Sequence, residues 1–373
     1  MDIGRPKPSV KASGAHDPCY ASGARPFQRD NHYVPRLYLK RFAAPDGRVF
    51  TYRILAAHER VPLWKPTAIK GIAYHEYLYT RTVAGVESDE IEKWLNTEFE
   101  TPAEEPLVKA TSGLRLSPND WSNLIRFVAA QDVRTPVRLQ DDLQYWNQKL
   151  PGLHDKTLRD AVSALESAKR SGQTVTTAKF PNSEYIPIRV TTAIEPGQEV
   201  GTVKSEVVVG RGLWLFGIRH SLTKTIEVLL NHRWTILLAP DGLNWFTSDN
   251  PVIRLNYYGE CKYDFRGGWG KKGGEILLPL DSRHLLYTKI GERPPQRGSI
   301  VPRQVAGGLL RFIAEHAHRF IFAASPDPQV ERLHPRTVDA AALKREQELW
   351  RKWPEEQSAA ERELLASHSA AGQ

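Results

Sequence analysis

An α+β fold is what this sequence predicts, with central helices packed against an antiparallel sheet and a helical appendage at the C-terminal end. Three observations carry that expectation. Short β-type runs flank a strongly periodic helical middle, the turn signals Pro45-Asp46-Gly47 and Pro240-Asp241-Gly242 punctuate those runs, and Val338 to Ala366 is rich in Ala, Glu, Lys and Arg.

Taken in order, residues 1 to 29 read as a flexible leader, because Gly, Pro and Ser recur there without apolar periodicity. Arg48 to Ile54 and Glu76 to Thr82 then read as strands. Glu87 to Phe99 places Ile91, Trp94, Leu95 and Phe99 at helical spacing. Ser117-Pro118-Asn119-Asp120 supplies an N-cap, a first-turn proline and an acidic third position, so a second helix begins there. Its apolar stripe of Trp121, Leu124, Ile125 and Val128 continues through Gln131 toward Thr135, which predicts Gln131 and Arg134 buried before Pro136 bends or breaks the helix.

From Pro151 to Gly212 the pattern weakens to a polar helix near Lys156 to Arg170 and Thr- and Val-rich strands. A helix over Ser221 to His232 leads into strands at Trp234 to Ala239, Asn244 to Thr247, Val252 to Asn256, Glu275 to Leu280 and Leu285 to Ile290, most simply an antiparallel meander. Val305 to His318 reads as a helix before a strand at Arg319 to Ala323. Val338 to Trp353 and Pro354 to Ala366 read as a surface hairpin of helices. The expected division is a leader at 1–29, one α+β domain at 30–325 and a helical extension at 326–373.

At 373 residues with 40% hydrophobic content the chain can bury one large core or two modest ones. Cys19 and Cys261 are too few for a disulfide framework or a C-x-x-C site, so a reducing, cytoplasmic setting is expected. No segment approaches eighteen uninterrupted apolar residues, which argues against a membrane span. A net charge of +8 and a pI near 9.3 favour nucleic acid or another polyanion as partner, while protein partners are not legible. Six basic residues against the single acid Glu292 between Arg283 and Arg311 could form such a face, or simply a solvated one.

Some motifs fail on spacing. His75-Glu76 lacks the second histidine of a zinc helix, since Tyr79 holds its place, and His316 and His318 are two apart on a helix and point to different sides. Gly267 to Lys272 has neither the first glycine nor the terminal hydroxyl of a phosphate loop.

Asn31-His32-Tyr33-Val34-Pro35-Arg36-Leu37-Tyr38-Leu39-Lys40-Arg41-Phe42 resembles the opening block of the family named domain of unknown function 4238. Further blocks resemble that family in order: Ile72-Ala73 before Tyr77 to Tyr79, Ile91 to Leu95 with Phe99-Glu100, Phe127 to Gln131 with Arg134-Thr135-Pro136, Phe246 to Val252, and Leu278-Pro279-Leu280. Two places depart from the pattern: Pro102 close behind Glu100, and Gly307 to Leu310 where an asparagine is usual. The resemblance implies a common site and no particular reaction.

The residues of that site are His32, Glu92, Glu100, Gln131, Arg134 and Asp249 as catalytic candidates and Tyr33, Ser248 and Asn250 as substrate-binding candidates. Glu92 and Glu100 could both face Arg134 from one helix. A buried arginine needs an anion, so Arg134, His32, a twin glutamate and the Ser248 to Asn250 turn are expected together.

Two functions compete. One is a hydrolase-type enzyme on an anionic, phosphodiester-like substrate, with Glu92, Glu100 and Asp249 holding a divalent metal or acting as base, His32 as acid or base, and Arg134 stabilising charge. The other is a non-catalytic module that grips nucleic acid or protein through Lys262 to Lys272 and Arg283 to Arg311, the polar cluster being structural.

Overall fold

Ser117 starts the helix on which the rest of the fold is laid. In the computed structural model, which describes residues 29–83, 86–173, 188–194, 201–259 and 262–370, the Asp120 N–H donates to the Ser117 hydroxyl at 3.1 Å and the Ser117 N–H donates to the Asp120 carboxylate at 2.8 Å. This reciprocal cap satisfies amides that the first turn leaves open. The Pro118–Val133 helix buries Leu124, Ile125, Phe127 and Val128, and, as the period predicts, Gln131 and Arg134 are 0% and 1% exposed.

Pro136 ends that helix because it has no N–H to donate. Thr135 turns extended at φ −83° and ψ 154°, and its hydroxyl accepts from the Arg138 N–H at 3.4 Å to cap a new helix, Pro136–Arg170. That helix is longer than the expected Lys156 to Arg170, since Pro151 lies inside it without ending it. Its residues past Leu139 are mostly exposed, so water can take up the carbonyl that Pro151 leaves unpaired.

The main sheet is antiparallel with five strands in the order Thr235–Leu238, His284–Lys289, Glu275–Pro279, Ile253–Gly259, Lys262–Asp264. Both faces are covered, which explains its unbroken apolar runs. Ile236, Ile276, Leu278 and Leu286 pack into the helical core, whereas the alternating Leu237, Leu255, Leu277 and Leu285 pack into a second core with the Arg303–His316 helix.

The order is not the simple meander expected. After Leu238 the chain leaves the sheet, and of the expected Asn244 to Thr247 strand only Thr247 pairs, with Ser248 after it, in a second sheet ordered Thr247–Ser248, Phe320–Ala323, Arg48–Arg53, Trp64–Ala68. The Ser248 to Pro251 turn is therefore the crossover between the two sheets.

A two-stranded ribbon pairs Asp30–His32 with Tyr74–Glu76, setting Asn31 opposite His75 and His32 opposite Tyr74. The expected strand from Glu76 to Thr82 is interrupted at Tyr77, whose φ of +54° breaks the ladder. Arg81–Val83 then pairs with Val86–Ser88, and Ile188–Ile194 with Gly201–Val207. Between Glu90 and Thr111 the chain stays helical but passes through a π-turn at Asn96–Glu100 and a 3₁₀ turn at Thr101–Ala103, so Pro102 tightens the path without stopping it. Arg211–His220 is a helix absent from the sequence reading, and it runs on into the expected Ser221 to His232 segment.

The C-terminal segment is one helix, Ala340–Ala370, and not a hairpin. Pro354 is contained within it because residues on both sides pack on the same body: Trp353 is 8% and Ser358 4% exposed. Arg211, fully buried, donates from Nη2 and Nε to the Glu361 carboxylate at 2.9 and 3.1 Å and from Nη2 to Ser358 Oγ at 3.0 Å. No described helix is long and apolar enough to cross a membrane, and of the expected leader only Arg29 lies within the described residues.

Removing one partner of a buried ion pair strands the other, at a cost of about 3–5 kcal/mol. Arg211→Ala should lower the urea midpoint accordingly and open the Ala340–Ala370 helix to limited proteolysis, as gel analysis of the cleavage products would show.

Candidate functional site

Arg134, at the C-cap of its helix, is surrounded by acceptors. Its Nη1 donates to Glu100 Oε1 at 2.5 Å, Nη2 donates to the His32 carbonyl, and Nε donates to the Tyr79 hydroxyl at 3.3 Å. The Tyr79 hydroxyl in turn donates to the Arg134 carbonyl at 2.8 Å. Gln131 Nε2 donates to the Tyr33 carbonyl at 2.8 Å. Two side chains of one helix thus hold the backbone of consecutive residues, His32 and Tyr33.

Glu92 is 7% exposed, and burial pushes its carboxyl up to about 8, with Arg134 pulling it back down and Glu100 and Asp89 adding to the rise. It is a neutral acid at pH 7, next to an arginine whose charge Glu100 already balances. Burial, with Arg36 and Arg134 nearby, lowers the His32 imidazole below its ordinary value. The ring lies 5.5 Å from that of Tyr74.

The Ser248 to Asn250 turn lies beside this network and joins it through Thr135, whose hydroxyl donates to Asn250 Oδ1 at 3.3 Å. Asp249 does not pair with Arg134. Its two oxygens accept the backbone N–H groups of His318 at 2.8 Å and Arg319 at 2.7 Å. Burial raises the Asp249 carboxyl to about 6, against the pull of those amides and that of Phe320. Ser248 Oγ accepts the Asn250 N–H at 3.2 Å. His316 Nδ1 donates to the Asn250 carbonyl at 2.9 Å, and its Nε2 accepts from Asn250 Nδ2 at 3.2 Å, the pattern of a neutral imidazole; burial lowers it to about 4.

Against the outer side of these two networks lies a pocket of about 840 Å³. Of the nine residues expected from sequence, Tyr33 and Asp249 line it, together with Pro136 and Val137 that follow Arg134-Thr135. His75 and His318 also line it, close enough that His318 acts on the His75 imidazole. Burial and His318 pull His75 down to about 4, and burial with Arg319 pulls His318 to about 4. The His75 ring stacks on Trp350 at 3.9 Å and on Tyr33 at 5.4 Å. Arg53, Arg60 and Lys65 border the pocket, and none of them is ion-paired with a carboxylate among the described residues. The lip is strained at Ala73, whose φ of +54° is held by the Tyr33 N–H bonding to its carbonyl at 3.0 Å.

The family model described as "Protein of unknown function (DUF4238)" matches residues 30–327. The chain belongs to the DUF4238 family. No curated protein and no solved structure matches it. The DUF4238 blocks named from sequence meet around Arg134 and the Ser248 to Asn250 turn, yet most of their polar residues do not line the pocket: His32, Glu92, Glu100, Gln131, Arg134, Ser248 and Asn250 are absent from its lining. Among the described residues no three His, Cys, Asp or Glu side chains are grouped to hold a metal ion, so Glu92, Glu100 and Asp249 do not form the expected ligand set.

The sequence reading missed His75, His318, Arg319 and Trp350 as pocket residues. The first two were weighed as metal ligands and dismissed on spacing, and the useful signal was position instead: His75 opposite the Asn31-His32-Tyr33 strand, and His318-Arg319 at the start of the strand that pairs with Thr247-Ser248.

Arg134→Ala should destabilise by about 3–5 kcal/mol, since it leaves the Glu100 carboxylate, the Tyr79 hydroxyl and the His32 carbonyl short of a donor. Chemical denaturation measures this. For Glu92 the folded state binds a proton that the unfolded state has lost between an ordinary carboxyl value near 4.5 and about 8. Stability therefore falls with rising pH across that window. Glu92→Gln should remove the slope and stabilise the protein at alkaline pH by on the order of 1–3 kcal/mol. Equal pH profiles for variant and parent would refute it.

Proposed function

We propose that this protein is a hydrolase-type enzyme that cleaves an anionic, phosphodiester-like substrate in the pocket lined by His75, His318 and Tyr33. The observation that carries the reading is the pairing of two neutral histidines with unpaired cations, Arg53, Arg60 and Lys65, in one open pocket. A pocket of about 840 Å³ is large enough for a small organic phosphate.

In the proposed reaction one imidazole takes a proton from water as its oxygen bonds to phosphorus. The other, protonated when the anion arrives and offsets its burial, gives its proton to the departing oxygen as the P–O bond breaks. The cations stabilise charge on the non-bridging oxygens. Asp249 acts as a positioning residue: by accepting the His318 and Arg319 N–H groups it fixes where those two side chains start. His32, Glu92, Glu100, Gln131 and Arg134 build the wall behind the site, a structural role in place of the catalytic one expected from sequence.

The competing binding-module reading has less support. In the Arg283 to Arg311 stretch, Arg283 reaches Asp241, Arg297 donates to the Leu114 carbonyl, Arg303 donates to the Asp241 carbonyl and Lys289 pairs with Glu292. Those cations are engaged within the protein. A partner-binding face gains from Arg293 and Arg311, both exposed, and from Tyr258, 63% exposed with Lys271 5.8 Å over its ring.

Hydrolysis of bis(p-nitrophenyl) phosphate tests the proposal. His318→Gln should lower kcat by about 10²–10⁴-fold with the melting temperature nearly unchanged, and His75→Gln should lower kcat by a similar factor together with the melting temperature, because it also removes the ring stacked on Trp350. Full activity in both variants, or none in the parent protein, would overturn it.

A further inference from the structure

Resting on that reading of the pocket, we infer that Glu346 selects the substrate's charge, admitting phosphodiester monoanions and disfavouring phosphomonoester dianions. Glu346 sits on the Ala340–Ala370 helix, beyond the segment that the family model matches, and that helix forms one side of the pocket through Leu343, Glu346, Gln347 and Trp350. Its Oε2 accepts from Arg319 Nε at 2.6 Å, and its charge reaches the Tyr33 phenol at the pocket wall together with that of Asp249.

The consequence is electrostatic. Arg319 would otherwise be a fourth cation facing the ligand, but Glu346 already neutralises it. What remains for a ligand is Arg53, Arg60 and Lys65, in a lining that also carries the Glu346 and Asp249 carboxyl groups. A diester presents one negative charge and can turn its ester groups toward Glu346 and the Trp350 ring. A monoester above its second ionisation carries two charges, and the extra one meets the Glu346 carboxylate in a partly desolvated space, where like charges repel more strongly than in water. The helix is held firmly enough to impose this, because Trp350 stacks on His75 at 3.9 Å and Arg211 clamps Glu361 farther along.

The test compares binding of diphenyl phosphate, a monoanion, and phenyl phosphate, a dianion at about pH 8, to the full chain by isothermal titration calorimetry. E346Q should tighten phenyl phosphate about tenfold and change diphenyl phosphate by less than about threefold. R319Q, which leaves Glu346 uncompensated, should weaken phenyl phosphate more than diphenyl phosphate, and it serves if E346Q loses its fold. Equal shifts for both probes, or no shift, would overturn the selection by Glu346 while leaving the pocket's function standing. Failure of the parent protein to bind either probe would overturn both. Binding without hydrolysis would count against the enzyme reading alone.

Discussion

A guanidinium with 1% exposure cannot be left without acceptors, and Arg134 imposes that constraint on three separate parts of the chain. The glutamate that answers it comes from a helix, the carbonyl from an N-terminal strand, and the phenol from the loop between the Tyr74–Glu76 and Arg81–Val83 strands. Glu100 reaches Arg134 from within the Asn96–Glu100 π-turn, a distortion that re-aims the side chains beyond it. Because Pro136 follows two residues later, the same helix end also presents Thr135 to Asn250, and Pro136 and Val137 to the pocket. Burying one charge at a helix terminus therefore fixes the N-terminal strand, the crossover turn and the pocket wall relative to each other.

Charge balance around this point explains why the chemistry is better supported next door. One arginine can neutralise one carboxylate, and Glu100 takes that place, so the second glutamate of the pair is held neutral by burial. The resulting cluster is closed around Arg134, although His32 Nε2, Glu92 Oε2 and Gln131 Oε1 are buried in it without a hydrogen-bond partner among the described residues. In the pocket the balance runs the other way: burial lowers His75 and His318, and Arg53, Arg60 and Lys65 lack acidic partners among the described residues, which is the arrangement on which the proposed anion site rests.

Legibility followed the same physical division. Where one helix buried one face, the sequence pattern was enough: the Ser117 cap, the stripe through Val128 and the inward turn of Gln131 and Arg134 all follow from a period of 3.6 residues. Strand existence was legible too, but strand order was not, because nothing local in Trp245 to Asp249 says that Thr247 pairs with Phe322 and not with its sequence neighbours. Pro151 and Pro354 read as helix ends and are not, since exposure in one case and flanking tertiary contacts in the other outweigh a single lost hydrogen bond. Grouping Arg134 with Glu100 was correct on charge grounds. Asp249, one of three anions offered for Arg134, is satisfied elsewhere, because a carboxylate can equally be met by two backbone amides, and no spacing reveals which will be offered.

That last substitution bears on what the family blocks are for. Asp249 spends its oxygens on the amides of His318 and Arg319, Gln131 spends its amide on the Tyr33 carbonyl, and Arg134 spends one arm on the His32 carbonyl. Each holds main chain, and in each case the side chain that reaches the pocket belongs to the segment being held or to its strand partner: His318, Arg319, Tyr33, and His75 across the ribbon. The blocks thus act as a frame that sets the positions of other residues. Trp350 and Glu346 come from a helix outside the segment matched by the family model, so one side of the pocket is built from beyond the frame. On this division of labour, the frame lies within the matched segment, and the pocket side formed by the Ala340–Ala370 helix is added to it from a separate stretch of the chain.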